Sequence, residues 1–103
     1  MYVVVLVTCS DEKEAKKLSD IVLNERLAAC VNLIHGVKSY FWWGSKTHDA
    51  EEVLMFIKTK EELLRELIKK IKENHSYETP EIIALPIIGG SKEYTRWIDE
   101  ETK

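Results

Sequence analysis

The stretch from His75 to Ile82 contains the side chains best suited to chemistry. His75, Tyr77 and Glu78 lie within four residues of one another, on a segment that Pro80 stiffens. Histidine titrates near neutral pH and is a common metal ligand, so one interpretation is a metal or acid–base site. The other is a polar loop whose side chains fix the turn before a strand. The spacing of one histidine and one glutamate matches no standard zinc or copper motif.

The sequence contains two cysteines, Cys9 and Cys30. Both are expected to be free thiols, because nothing in the sequence indicates an oxidising compartment. Cys30 begins an apolar strand and is interpreted either as a small buried hydrophobe or as a soft metal ligand or reactive thiol. Cys9 ends a central strand, which favours the buried interpretation. No C-x-x-C pair is present, so a zinc site within one chain is not expected.

Lys58 ends an apolar strand and has two interpretations. It could bind an anion near a helix N-terminus that follows it, or it could be a strand lysine whose ammonium group extends to solvent. No G-x-S-x-G motif, glycine-rich phosphate loop or recognisable carboxylate pair is present. The sequence therefore predicts no catalytic residue and a protein that is not an enzyme.

Length and charge limit the classes of protein that are possible. A chain of 103 residues predicts one domain, residues 1–103. The formal net charge of −3 disfavours nucleic-acid binding. The apolar run from Val3 to Val7 is too short for a signal core or a membrane span, so a cytoplasmic protein without membrane contacts is expected. Glutamine is absent while Glu and Lys are frequent, a pattern that favours a thermophilic source.

Hydrophobic periodicity predicts the element order β-α-β-β-α-β-α, an α+β fold. Strands are predicted at residues 2–8, 30–43, 49–59 and 82–88, with a bulge at Gly36 and a turn at residues 44–46. Helices are predicted after N-caps at Ser10, Thr59 and Ser91, and Glu62 completes a capping box with Thr59. The first six elements form the ferredoxin-like pattern, and the seventh is an extra C-terminal helix.

The predicted strands carry more apolar surface than the helices of one chain can cover. Residues 2–8 and 53–59 are apolar on both faces, whereas the two main helices of this fold lie on one face of the sheet. Adjacent strand residues point in opposite directions, so Trp42 and Trp43 cannot both be buried by one chain. Pro86 places the last strand at a sheet edge with unpaired backbone groups. These features predict a homo-oligomer.

Four segments together resemble the CutA divalent-cation tolerance proteins: ERLAACVN at 25–32, YFWWG at 40–44, FIKT at 56–59 and HSYETPEI at 75–82. They span essentially the whole chain, in the family's order and spacing. The resemblance implies a ferredoxin-like protomer in a homotrimer similar to the PII signalling proteins, with the sheets packed inward. It also implies a role in tolerance of copper and other divalent metals.

The resemblance also indicates a site. The family's recurrent polar positions correspond to Cys30, Trp43, Lys58, His75, Tyr77 and Glu78, which in the family gather in a cleft between subunits. Metal binding is assigned to His75 and Cys30, and the intersubunit cleft to Trp43, Lys58, Tyr77 and Glu78. Ser76 replaces a proline that is common in the family, which is expected to loosen the loop. The adjacent histidine pair of some members is also absent.

Three functions follow as hypotheses. The first is a metal-responsive trimer that binds copper or another divalent cation weakly through His75, with Cys30. The second is a PII-like sensor trimer that holds a small anionic ligand in the intersubunit cleft near Lys58 and His75. The third, an enzyme using His75 and Glu78 as acid and base, is disfavoured because no nucleophile or cofactor motif accompanies them. RNA binding is excluded by the negative charge and the missing basic–aromatic pattern.

Overall fold

The computed structural model of the chain describes residues 1–103. The strands are β1 (Tyr2–Cys9), β2 (Cys30–Trp43), β3 (Lys46–Lys60) and β4 (Ile82–Ile87), and the helices are α1 (Glu12–Asn24), α2 (Leu64–Asn74) and α3 (Lys92–Glu101), with a 3-10 turn at Glu61–Leu63. All strand pairs are antiparallel and lie in the order β2-β3-β1-β4. This confirms the predicted ferredoxin-like α+β fold with an extra C-terminal helix. None of the helices combines the length and apolar character of a membrane span.

The hydrophobic core lies on one face of the sheet. Odd-numbered residues of β1 are buried there beside their cross-strand neighbours in β3, as in the pairs Val5–Ile57 and Val7–Met55. Helices α1 and α2 cover this face with side chains spaced three or four residues apart, the spacing of one helical stripe. The buried helix residues are Ala15, Leu18 and Val22 in α1 and Leu67 and Ile71 in α2.

The opposite face of the sheet, here called the open face, remains largely uncovered. Its β4 side chains Ile83 and Leu85 are 50% and 46% exposed, and they neighbour Leu6 and Val4 of β1. Helix α3 covers only one end, where the Tyr2 hydroxyl donates to Asp99. The open face is therefore the apolar surface that the strand pattern predicted.

Residues 37–52 form a two-stranded arm that extends beyond the rest of the sheet. β1 pairs with β3 only from Val53 onward, so this part of the β2–β3 hairpin has no third strand. Gly44 and Ser45 connect the strands with positive φ angles of 60° and 70°, the requirement of a tight type I′ hairpin turn. Because a two-residue turn keeps Trp43 paired with Lys46, β3 begins at Lys46 rather than at the predicted Asp49. The arm exposes Trp42 and Trp43.

Two of the three predicted helix N-caps are wrong. The cap of α1 is Asp11 rather than Ser10, since the Asp11 side chain accepts the Glu14 N–H at 2.8 Å. The predicted capping box of Thr59 and Glu62 does not form, because β3 continues to pair with β1 up to Lys60. No side-chain cap precedes the 3-10 turn or α2. The third prediction is confirmed, since the Ser91 side chain accepts the Tyr94 N–H.

Thr59 connects β3 to the segment that follows α1. Its side chain is fully buried, and its hydroxyl donates to the Leu27 carbonyl oxygen at 2.7 Å. Leu27 is also fully buried, so water cannot reach its carbonyl oxygen. The buried Leu27 carbonyl therefore explains why a polar residue, Thr59, occupies a core position in an apolar strand.

We expect Thr59→Val to lower the free energy of unfolding by about 1–2 kcal/mol, because it leaves the buried Leu27 carbonyl without its donor. Chemical denaturation at one fixed protein concentration measures this change. Thr47→Val, on an exposed part of the same strand, is the matched control and should change stability by less than about 0.5 kcal/mol. Equal effects at both positions would contradict the assigned hydrogen bond.

Candidate functional site

His75 lies at the start of the loop that joins α2 to β4, and its imidazole is completely buried. Nε2 lies 2.8 Å from the Thr8 carbonyl oxygen, and Nδ1 lies 3.1 Å from the Tyr77 backbone nitrogen. A carbonyl oxygen only accepts, so Nε2 carries the proton and Nδ1 accepts the Tyr77 N–H. The two bonds fix the orientation of the ring.

Glu14, in the first turn of α1, holds the same loop from the helix side. Its Oε2 accepts the Ser76 N–H at 2.6 Å and lies 3.7 Å from His75 Nδ1. Burial alone raises the pKa of the Glu14 carboxyl, but the Ser76 hydrogen bonds and the neighbouring His75 outweigh burial and lower the pKa below its usual value. Proline has no N–H to donate, so Ser76 supplies a bond that the family's common proline could not make.

Cys9, Glu14 and His75 form a compact group of potential metal ligands. Their ligand atoms all lie within 4.8 Å of one another. The Cys9 thiol is buried and lies 3.5 Å from the Met55 sulfur. Burial and the nearby carboxylates of Glu14 and Glu52 raise the pKa of Cys9 to about 12. Without a bound cation this sulfur is therefore a thiol rather than a thiolate.

Sequence reasoning missed Cys9 and Glu14 as partners of His75. The buried state predicted for Cys9 is confirmed, but its position beside His75 was not foreseen. The three residues come from the end of a strand, the start of a helix and a distant loop, so no spacing along the chain relates them. Only the packing of α1 and the loop against the end of β1 brings them together.

Tyr77 connects the loop to β3. Its hydroxyl donates to Glu52 Oε2 at 2.8 Å, and Glu52 is only 8% exposed. Burial and the Glu52 carboxylate raise the pKa of the Tyr77 phenol, so the phenol stays protonated and remains the donor. Glu52 was also missed, although a glutamate next to an apolar strand segment was a weak signal for a buried polar role.

A cavity of about 750 Å³, here called the acidic cavity, lies between the loop and the arm. It brings together three of the predicted cleft residues within one chain: Trp43, Tyr77 and Glu78. Glu52 and Glu81 also line it, and no Lys, Arg or His does. The cavity is thus aromatic and negatively charged.

Cys30 and Lys58 lie elsewhere. They are cross-strand neighbours, and Lys58 is also paired with Val4, which places both on the open face. There the Lys58 ammonium donates to Asn32 Oδ1, and α3 brings Tyr94 beside Cys30. Burial and the neighbouring Cys30 raise the pKa of Tyr94.

The predicted metal ligands His75 and Cys30 therefore do not meet within one chain. The His75 ring contacts the Thr8 carbonyl oxygen. Lys58 pairs instead with Val4, four residues away along β1. A metal bound to both would need a second subunit, so the pair stays a prediction. The helix N-terminus expected next to Lys58 does not form, because β3 continues through Thr59.

The fold and the site define a small ferredoxin-like α+β protein with a buried Cys–Glu–His group at one end of its sheet and an acidic cavity beside it. The model of the CutA1 divalent ion tolerance protein family matches residues 3–101, so the chain belongs to this family. The family is named for ion tolerance rather than for a catalysed reaction.

Individual relatives also support membership of this family. The chain is 43% identical to "Protein CutA 1, chloroplastic" of Oryza sativa over 98% of this chain and 57% of that protein. It is 42% identical to the "Divalent-cation tolerance protein CutA" of Archaeoglobus fulgidus over 97% of each chain. The chain thus spans little more than half the length of the plant relatives that it matches and nearly all of the archaeal one.

Solved structures show the same fold. The CutA structure from Archaeoglobus fulgidus superposes with a TM-score of 0.97 at 40% identity and covers both chains completely. The structure of the Thermus thermophilus protein gives a TM-score of 0.97 at 38% identity, also over both full chains. The predicted membership of the CutA family is confirmed.

The Glu14 carboxylate should make stability depend on pH. Its folded-state pKa lies below the ordinary value of 4.5, so its contribution is complete above about pH 5 and is lost as the pH falls through the folded-state pKa. We expect Glu14→Gln to cost about 1–2 kcal/mol at pH 7 and less at pH 3. Unfolding measured from pH 3 to 7 tests this, with the exposed Glu73→Gln as control. A difference from wild type that stays constant across this range would contradict the assignment.

Proposed function

We propose that this protein is a cytoplasmic homotrimer without catalytic activity that binds copper or another divalent cation weakly at His75. The observation that carries the proposal is the buried group of Cys9, Glu14 and His75, whose ligand atoms lie within 4.8 Å of one another. A thiolate, an imidazole and a carboxylate suit copper or zinc better than magnesium or calcium. The divalent-cation tolerance of the family points the same way.

The contacts of this group explain why the binding is proposed to be weak. Nδ1 is the ring nitrogen with the lone pair, and it already accepts the Tyr77 N–H. Cys9 is protonated, with its pKa raised to about 12. A cation would have to replace both the hydrogen bond and the thiol proton, so its affinity depends on pH.

Cys30 enters the proposal through a second subunit. It lies on the open face, which the proposed trimer would pack against other copies. A cation held by His75 of one subunit and Cys30 of another would bridge the interface. The intersubunit cleft, with Trp43, Tyr77 and Glu78 on one wall and Lys58 on the open face, remains part of this proposal.

The uncovered apolar surface supports the assembly. Ile83 and Leu85 on the open face are exposed, as is Trp42 of the arm at 73%. A continuous apolar surface of this kind marks an interaction site or an aggregation hazard. The outer edge of β4 adds unpaired backbone groups that a second chain can pair. The number of three subunits rests on the family resemblance.

The alternative, a PII-like sensor of a small anion, has less support. Three carboxylates and no basic side chain line the acidic cavity, and this charge repels an anion. Lys58 lies apart from the cavity and donates to Asn32.

Copper titration tests the ligands. We expect His75→Ala to weaken copper binding at least about tenfold in calorimetry, and Cys9→Ser to act in the same direction, because each removes a proposed ligand. His35→Ala is the control, since His35 is exposed and pairs only with Glu12. Cys30→Ser separates the two arrangements: weaker binding places the cation between subunits, and unchanged binding places it within one. Unchanged affinity in His75→Ala would rule out this histidine as a ligand.

Light scattering tests the assembly. We expect a mass three times the 12.0 kDa of one chain. Leu85→Glu, on the β4 edge of the open face, should shift the population to smaller species because it places a charge at the proposed interface. Leu23→Glu on the exposed side of α1 is the matched control and should leave the mass unchanged. A stable wild-type monomer would disprove the proposed trimer.

A further inference from the structure

The acidic cavity has an aromatic wall contributed by the arm. In the register of β2 and β3, Val37 pairs with Glu52, Phe41 with His48, and Trp43 with Lys46. Residues 37, 39, 41 and 43 alternate along β2 and so share the face of Glu52. His48 stacks on Phe41 with ring centroids 6.0 Å apart. Of the two aromatic side chains of β2 on this face, Trp43 is the more exposed, at 59% against 41% for Phe41.

The acidic side chains of the cavity come from the loop and from the base of the arm, and they include a buried carboxylate. Glu78 and Glu81 lie on the loop and are exposed, whereas Glu52 is only 8% exposed. The Tyr77 hydroxyl occupies Glu52 Oε2, and the structure shows no hydrogen bond to Oε1. Because Glu52 lines the cavity, Oε1 is the carboxylate atom that remains for a ligand. No buried side-chain oxygen lacks a hydrogen-bond partner, so Oε1 is open to solvent in the cavity and can accept a hydrogen bond from a positively charged ligand.

The arrangement does not suit a bare metal ion. The only group of three potential metal ligands that converges within 4.8 Å is Cys9, Glu14 and His75, so Glu52, Glu78 and Glu81 do not close around one ion. A space of about 750 Å³ is instead the size of a pocket for a small molecule.

We infer that the acidic cavity binds a small organic cation, an amine or quaternary ammonium compound. Its alkylated ammonium group lies against the face of Trp43, an arrangement that attracts cations to aromatic rings. The carboxylates of Glu52, Glu78 and Glu81 neutralise its charge. All residues that line the cavity belong to one chain. The inference rests on the proposed function in one respect: a second subunit of the proposed trimer would close the open side of the cavity.

Titration with matched ligands tests the charge requirement. Choline chloride and its neutral isostere, 3,3-dimethylbutan-1-ol, are titrated into the intact oligomer by calorimetry at constant ionic strength, and putrescine serves as a primary diammonium probe. We expect saturable choline binding at least about tenfold tighter than that of the neutral isostere. Isostere binding as tight as choline binding would overturn the inference.

Amino-acid substitutions test where choline binds. Trp43→Leu should weaken choline binding about fivefold or more, whereas Trp42→Leu, on the other face of β2, should not. The double variant Glu78→Gln/Glu81→Gln should also weaken it, while Glu51→Gln/Glu61→Gln makes the same change in net charge away from the cavity. Equal effects of a variant and its control would show that binding is elsewhere. The glutamate variants alter exposed side chains, so they remain informative if Trp43→Leu fails to fold.

The same samples separate this inference from the proposed function. Copper affinity and the mass from light scattering are measured alongside the organic ligands. If neither choline nor putrescine binds to a sample that is trimeric and binds copper, the inference is overturned and the proposed function is not. Binding of choline to a sample that does not bind copper supports the inference and contradicts the metal proposal.

Discussion

The two helices α1 and α2 cover only one face of a sheet that is apolar on both faces, and the other features of the molecule depend on this imbalance. On the covered face, β1 and β3 form a complete core with no unpaired buried side-chain polar atom. On the open face, Ile83 and Leu85 remain half exposed, and α3 covers only one end. The free energy of removing this surface from water favours the proposed assembly of several copies.

The loop from His75 to Pro80 crosses the end of the sheet and contributes to two different environments. On the covered side, His75 and Ser76 bind to Thr8 and Glu14 through short hydrogen bonds. On the other side, Tyr77 binds to Glu52 and borders the acidic cavity. A metal at the first and an organic cation at the second would therefore share one segment of backbone.

The separation of the two sites has an electrostatic basis. Cys9 is enclosed by the core, where its thiol keeps its proton, and Glu14 is partly buried beside it, with its carboxylate already accepting from Ser10 and Ser76. Glu52, Glu78 and Glu81 border open space instead, where a large, weakly hydrated cation can enter. A small ion and a bulky ammonium compound thus suit different ends of the same loop.

The order and type of the elements could be predicted because strand and helix periodicities are local properties. The Gly36 irregularity and the Gly44–Ser45 turn were also predictable, since positive φ angles favour such residues. Helix starts were less predictable: Thr59 resembles a cap in sequence, but the β1–β3 ladder extends past it and turns its side chain into the core. Strand pairing over several residues outweighs one capping bond.

The sequence by itself determined the fold, the excess apolar surface and the importance of the His75 loop, because each is encoded in residues near one another in the chain or in a family motif. Only the tertiary structure decided which residues surround that loop. Cys9, Glu14 and Glu52 belong to three separate elements and approach His75 or Tyr77 through packing. Strand alternation placed Cys30 on the opposite face of the sheet from Cys9, so the predicted pair of His75 and Cys30 would need a second subunit to bind one cation.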